Sequence, residues 1–231
     1  MKYRTILWDV DRTLLDFDFS EKTAITQVFK TRCLTINDEI IELYKSINDS
    51  YWKRLELGEI SKDYIIEHRF VDLFNALQID ISDMKALQDE YQQVLSDVYA
   101  YLDDSLTLCT TLKTKCNQYV VTNGIASTQH KKIALSGFKD CMHGVFVSEE
   151  IGFEKPQTGF FDFVKANIPD FDATTTLIIG DSLSSDILGG NLAGIATCYY
   201  NPKKKALKGD IKPTYEIEHL WDVLQVMDLI L

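Results

Sequence analysis

Short apolar runs that each stop at a small or polar residue recur along this chain, and they constrain its fold more than any other feature. Thr5-Ile6-Leu7-Trp8 stops at Asp9, Tyr119-Val120-Val121 at Thr122, and Leu177-Ile178-Ile179 at Gly180-Asp181. Gly144-Val145-Phe146-Val147 and Ala196-Thr197-Cys198-Tyr199 have the same character. Runs this short, without polar alternation, read as strands buried on both faces of a parallel sheet when helices separate them. Helical patterns over residues 106–115, 127–135, 159–165 and 186–193 provide that separation. The expected class is α/β, with a Rossmann-like doubly wound parallel sheet as core. Ligands of such sheets bind beyond the carboxyl ends of the strands. The polar residues that close the first three runs are therefore expected to share one cleft, although they lie far apart in the chain.

Strand-like runs disappear between Asp16 and Asp103, where helical patterns follow one another over residues 21–31, 38–57, 62–76 and 82–99. Gly58 separates the second from the third. The expected organisation is an α/β core domain made of residues 1–15 and 104–231, with a helical-bundle cap domain, residues 16–103, inserted after the first strand. The two connections, near residues 15–17 and 102–105, are expected to serve as hinges that close the cap over the cleft.

Composition narrows the functional classes. The 231 residues are 45% hydrophobic and 26% charged with only 11 Gly and 4 Pro, which suits a chain that buries a core and carries no long disordered tail. No apolar run approaches membrane-spanning length, and Ile6-Leu7-Trp8 is too short for a signal-peptide core, so a cytoplasmic protein without a membrane partner is expected. A net charge of -11 argues against a nucleic acid polymer as ligand, because phosphodiester binding rests on basic surface. Lys203-Lys204-Lys205 is the one basic cluster and reads as a solvated loop. Cys33, Cys109, Cys116, Cys141 and Cys198 are odd in number and without a C-x-x-C pair, which favours reduced thiols over disulfides or zinc. His68, His130, His143 and His219 show no ligand spacing.

Asp9-Val10-Asp11 places two carboxylates one residue apart just where the first buried run would surface. Like charges in that position raise one pKa unless a cation or a proton lies between them. The pair points to a metal site, a proton-transfer site, or both. With three further segments it resembles the haloacid-dehalogenase-like phosphatase superfamily. Asp9-Val10-Asp11-Arg12-Thr13 looks like the first motif, Thr122-Asn123-Gly124 the second, Lys155-Pro156 the third, and Gly180-Asp181-Ser182 through Asp186 the fourth.

Phosphoryl transfer from a monoester needs a nucleophile, positive charge against the phosphoryl oxygens, and a proton for the departing oxygen. The resemblance implies a residue for each. Asp9 would attack phosphorus and carry an aspartyl-phosphate. Asp11 would act as general acid and then general base, and its backbone carbonyl would ligate the metal. Thr122, the Asn123 amide and Lys155 would bind phosphate, with Lys155 also stabilising charge. Asp9 and Asp181 would hold the ion and Asp186 would orient its surroundings. Hard oxygen donors favour Mg²⁺. Dehalogenase relatives need no acid at position 11, so its Asp favours a phosphoryl substrate. Two departures stand out: Arg12 replaces the commoner Gly and is expected to disfavour a left-handed backbone there, and Leu102-Asp103-Asp104-Ser105 lacks the frequent Pro-Gly.

Within the superfamily the chain most resembles the noncanonical pyrimidine 5′-nucleotidase branch. The stretches are Asp9 to Phe17, Val147-Ser148-Glu149-Glu150-Ile151-Gly152, and Ser185-Asp186-Ile187-Leu188-Gly189-Gly190-Asn191 with Ala193-Gly194. A small phosphomonoester, a nucleoside monophosphate, is the substrate this implies. A phosphatase or phosphomutase for sugar or other metabolite phosphates is the first alternative, and a non-catalytic binding or regulatory protein the second. Phe17, Phe19, Tyr51 and Trp52 offer an aromatic face for a base, but aromatics on amphipathic helices are commonly core, so none is assigned that role.

Overall fold

Strand β1, Thr5–Trp8, is buried along its whole length, which accounts for its unbroken apolar character. The computed structural model of the chain describes residues 1–207 and 209–229. After β1 come helices α1 (Phe17–Thr31), α2 (Asp38–Glu56), α3 (Lys62–Leu77) and α4 (Met84–Asp97). The chain continues through α5 (Ser105–Leu112), β2 (Asn117–Thr122), α6 (Ala126–Leu135), β3 (Gly144–Val147), α7 (Ser148–Ile151) and α8 (Thr158–Asn167). It closes with β4 (Thr176–Gly180), α9 (Leu188–Leu192), β5 (Ala196–Tyr200), β6 (Tyr215–Ile217) and α10 (Val223–Val226).

Among the described residues the strands form one sheet in the order β3-β2-β1-β4-β5-β6, every neighbouring pair parallel. This is the doubly wound α/β arrangement expected from the apolar runs. The chain fills one side of β1, then returns to lay β4 on the other, so the order reverses between β1 and β4. Ligands of open sheets gather at such a reversal. Register finishes the placement: Trp8 pairs with Val120 on one side and Ile179 on the other, which brings Asp9, Thr122 and Asp181 out at the same edge. The edge strand β6 is absent from the sequence reading because Tyr-Glu-Ile, three residues with a charge in the middle, makes no apolar run.

The α/β unit comprises Met1–Phe17 and Ala100–Leu231. The core segment expected at 104–231 takes in residues 208, 230 and 231, which lie outside the described residues. On one face of the sheet Leu7, Val121 and Ile178 pack with Phe160, Phe161 and Val164 of α8. Burying side chains of this kind stabilises by roughly 1.5–3 kcal/mol each. On β1 and β2, the Trp8 indole donates to the Gln118 carbonyl at 3.0 Å, and the Gln118 amide donates to the Cys109 carbonyl of α5 at 2.8 Å. The helix expected at 186–193 begins instead as one π turn, Leu183–Ile187, before α9. There the Ser182 hydroxyl accepts from the Ser185 N–H at 3.2 Å and the Ser182 carbonyl accepts from the Ile187 N–H at 3.2 Å, widening the turn that carries Asp186.

The second unit is Asp18–Tyr99. Asn37 caps α2 through the Ile40 N–H at 2.9 Å and Ser61 caps α3 through the Tyr64 N–H at 3.2 Å. Its interior is aromatic, with Phe29 on Phe74 and Tyr44 on Phe70 stacked at ring separations of 5.4 and 5.1 Å. It also holds Glu21, Asn48, Arg69 and Gln88, all buried. The five cysteines are free, Cys33 exposed and the others buried. No helix among the described residues is long and apolar enough to cross a membrane.

Candidate active site

Asp9 leaves β1 at the sheet edge with its backbone N–H donated to the Ile179 carbonyl of β4 at 2.9 Å. Its side chain is almost wholly buried and engaged on both oxygens. Lys155 Nζ donates to Oδ1 at 2.9 Å, and the Thr13 hydroxyl donates to Oδ2 at 3.0 Å. The Lys155 ammonium, only 1% exposed, spends its other donors on Asp186 Oδ1 at 2.6 Å and the Val121 carbonyl at 2.8 Å. Burial alone would pull this ammonium down, but Asp186 and Asp9 more than offset that and leave its pKa raised. Pro156 follows through a cis peptide bond.

Asp186 reaches this position because residue 180 is glycine. A Cβ on Gly180 would lie 2.1 Å from Asp186 Oδ2 and 2.6 Å from its Cβ, so a larger residue displaces the carboxylate. Asp186 Oδ2 accepts from the Ser182 N–H at 3.2 Å. Asp181 differs, since no donor among the described residues bonds its carboxylate. Burial and the facing charges of Asp9 and Asp186 raise its pKa well above the carboxylate range, with Arg12 and Lys205 offsetting part of this. Burial likewise pushes Asp9 up to about 7, against the pull of Lys155 and with the push of Asp186 and Asp11.

Asp9, Asp181 and Asp186 each bring one carboxylate oxygen within 4.8 Å of the others. Three carboxylates thus gather where one ammonium, Lys155, bonds two of them, Asp9 and Asp186. That donor set, all hard oxygen and net negative, fits a small divalent cation and would repel an anion that arrived without one.

Thr122 is buried at the end of β2, its hydroxyl accepting from the Gly124 N–H at 3.1 Å. The Asn123 side chain clasps the backbone of Lys155, accepting from its N–H at 2.8 Å and donating to its carbonyl at 2.9 Å. This joins the second and third motifs and leaves the Asn123 backbone, not its side chain, as the part free to meet a ligand. Asp11 is not one of the three grouped carboxylates, and its side chain is held from α6. Its Oδ1 accepts from Lys132 Nζ at 2.9 Å and its Oδ2 from Gln129 Nε2 at 2.6 Å.

One expectation is overturned. Arg12 adopts the left-handed backbone that its bulk was expected to disfavour, with φ 67°. The turn is held by the Arg12 N–H on the Leu15 carbonyl at 2.8 Å and by the Leu14 and Leu15 N–H groups on the Val10 carbonyl, both at 2.9 Å. The guanidinium lies 5.1 Å above the Phe17 ring. A left-handed L-residue costs about 1–2 kcal/mol, which these contacts offset. The missing Pro-Gly has the same resolution: Asp103 and Asp104 take φ 47° and 53°. Asp tolerates that region, and Asp103 Oδ2 is fixed by the Tyr200 hydroxyl at 3.0 Å and the Leu220 N–H at 2.9 Å.

The sequence reading missed Thr13, Gln129 and Lys132 as site contacts. Thr13 stands in the first motif, whereas Gln129 and Lys132 are polar residues at i, i+3 that only the structure places on the buried face of α6, beside Ile133. In the basic cluster, Lys204 pairs with Glu218 at 2.9 Å, while the charge of Lys205 is felt at Asp181.

The family model for haloacid dehalogenase-like hydrolases matches residues 3–194. The chain belongs to the haloacid dehalogenase-like hydrolase family. It is 36% identical to the HAD-hydrolase YfnB of Bacillus subtilis over 99% of this chain and 97% of that protein. It is 36% identical to the pyrimidine 5′-nucleotidase PynA of Streptococcus pneumoniae, over 99% of this chain and 96% of the relative. Against the pyrimidine 5′-nucleotidase YjjG of Escherichia coli it is 26% identical over 98% and 99%. The crystal structure of YfnB bound to magnesium, a form that reveals interdomain movement, superposes with TM-score 0.94 over 99% of this chain and 100% of that one. L-2-haloacid dehalogenase of Xanthobacter autotrophicus shares the fold at TM-score 0.77 and 14% identity.

Proposed function

We propose that this hydrolase is a Mg²⁺-dependent phosphomonoesterase that works through an aspartyl-phosphate on Asp9, and that its substrates are pyrimidine nucleoside 5′-monophosphates. The observation that carries the reading is the charge imbalance: of the grouped Asp9, Asp181 and Asp186, the Lys155 ammonium bonds only Asp9 and Asp186, and no donor among the described residues bonds the Asp181 carboxylate. Asp9, Asp181 and the Asp11 backbone carbonyl are the groups assigned to the ion, with Asp186 orienting Lys155 and the shell. Magnesium bound in YfnB supports that choice of metal. Bound there, the ion supplies positive charge against both the carboxylates and the phosphoryl oxygens.

The residues divide the reaction as follows. Lys155 and Thr13 hold the Asp9 carboxylate, so one oxygen is aimed at phosphorus. Thr122, the Asn123 backbone and the Lys155 charge receive the phosphoryl oxygens. Asp9 forms a bond to phosphorus as the ester P–O bond breaks, and the departing oxygen takes a proton from Asp11. Asp11, now a carboxylate, accepts a proton from the water that attacks phosphorus. The P–O bond to Asp9 then breaks, freeing inorganic phosphate and restoring Asp9. The names of PynA and YjjG support the nucleotide as substrate.

Phosphate release from nucleoside monophosphates and sugar phosphates, in Mg²⁺ and with the Asp9→Asn variant as blank, tests the reading. The expected result is turnover that favours pyrimidine nucleotides. A higher kcat/KM on a hexose phosphate than on any nucleotide would keep the chemistry and discard the substrate. No release from any ester would discard both.

A further inference from the structure

We propose that Lys132 and Gln129 are positioning residues for Asp11, setting from helix α6 the orientation in which its carboxylate meets the leaving group; the proposal rests on the acid and base role given to Asp11 above. Lys132 is 0% exposed, and its ammonium donates to Asp11 Oδ1 at 2.9 Å. Gln129, 2% exposed, donates to Oδ2 at 2.6 Å. One donor on each oxygen fixes both the direction of the side chain and the plane of the carboxylate, which a single contact leaves free to turn.

Several observations separate this from ordinary packing. A buried ammonium is strongly disfavoured unless paired, and the ion partner of Lys132 is a carboxylate on another element at the site. The same ammonium lies 5.5 Å over the Phe17 ring, which also receives Arg12. Gln129 Oε1 has no hydrogen-bond partner among the described residues, so the bond to Asp11 is what holds its amide. Gln129 reaches Asp11 across Gly124, where a Cβ would lie 2.3 Å from its Nε2 and 2.7 Å from its Cγ. The glycine of the second motif thus leaves the space through which α6 grips the acid.

The test compares Lys132→Met, Lys132→Arg and Gln129→Leu on a nucleoside monophosphate, whose leaving group needs a proton, and on p-nitrophenyl phosphate, whose leaving group does not. Misplacing the acid lowers kcat/KM, which reports only the steps through departure of the leaving group, by about tenfold or more on the nucleotide and by less than about threefold on the aryl ester. Lys132→Arg recovers part of the loss. Equal losses on both esters, or none, would overturn the proposal. A crystal structure of each folded variant gives a readout independent of turnover: Asp11 swings away from α6 if it is positioned by these residues, and an unmoved Asp11 contradicts the idea. Gln129→Leu removes no charge and keeps the comparison available if Lys132→Met does not fold. Should the unmodified protein cleave neither ester, the phosphatase reading fails, and the Asp11 orientation in the variant structures still decides this proposal.

Discussion

Both units of this protein bury charge, but only one of them balances it. In the helical unit, Asn48 lies between opposite charges: its amide donates to Glu21 at 2.7 Å and its carbonyl accepts from Arg69 at 3.2 Å. The Arg69 guanidinium further donates to the Gln88 carbonyl at 3.3 and 3.1 Å and lies 4.7 Å over the Tyr91 ring. One anion and one cation are linked through neutral amides, which is what a buried network requires in order to persist by itself. In the α/β unit three carboxylates gather around one lysine that bonds two of them, and burial, with their mutual repulsion, raises Asp9 and Asp181. A group of that composition is at ease only when a further positive charge joins it. Buried charge is therefore not in itself the mark of a site; unbalanced buried charge is.

The contrast breaks most sharply at Asp9. Asp9→Asn removes the attacking oxygen and one anionic ligand together, and phosphate release should fall by about 10⁴-fold or more while the melting curve stays cooperative. Residual turnover within tenfold of the unmodified protein would remove Asp9 from the chemistry. Asp11→Asn should cost about 10²–10⁴-fold in kcat/KM on a nucleotide and much less on p-nitrophenyl phosphate, since kcat/KM ends at departure of the leaving oxygen and only the nucleotide needs that oxygen protonated. Identical losses on the two esters would speak against the acid role.

The balanced cluster should respond in stability instead. Arg69→Met removes the buried cation of this network and should destabilise the fold by about 3–5 kcal/mol in denaturant titrations, with Mg²⁺ affinity of the folded protein unaltered. A weakened affinity would mean that the two clusters are not independent. The smallest effect is expected at Gly180→Ala, which pushes Asp186 from Lys155 and should destabilise by about 1–3 kcal/mol. A crystal structure showing Asp186 unmoved would count against the close approach as the reason for that glycine.

Much of this was legible in the sequence because parallel strands write themselves plainly. Each apolar run is buried on both faces, and each ends on the residue that the strand delivers to the edge, so the sequence alone places Asp9, Thr122 and Asp181 in one cleft. Side-chain direction was not legible. Asn123 stands in the second motif, yet its amide turns to clasp the Lys155 backbone. Lys132 and Gln129 look like the polar half of an amphipathic helix, and only the packing of α6 shows them facing inward to Asp11. Arg12, Asp103 and Asp104 show the same limit at the level of the backbone. Propensity places glycine at positive φ, but hydrogen bonds from neighbouring turns hold these side chains there regardless.

The central claim is that the surplus of carboxylates at the sheet edge is completed by Mg²⁺ to make a phosphomonoesterase. Its most direct test is phosphate release from uridine monophosphate by protein stripped with EDTA, before and after Mg²⁺ is returned, alongside Asp181→Asn treated in the same way. The account predicts silence after stripping, recovery on adding Mg²⁺, and little recovery in the Asp181 variant. Full turnover by the stripped protein, or an Asp181→Asn variant as active as the unmodified chain, would contradict it.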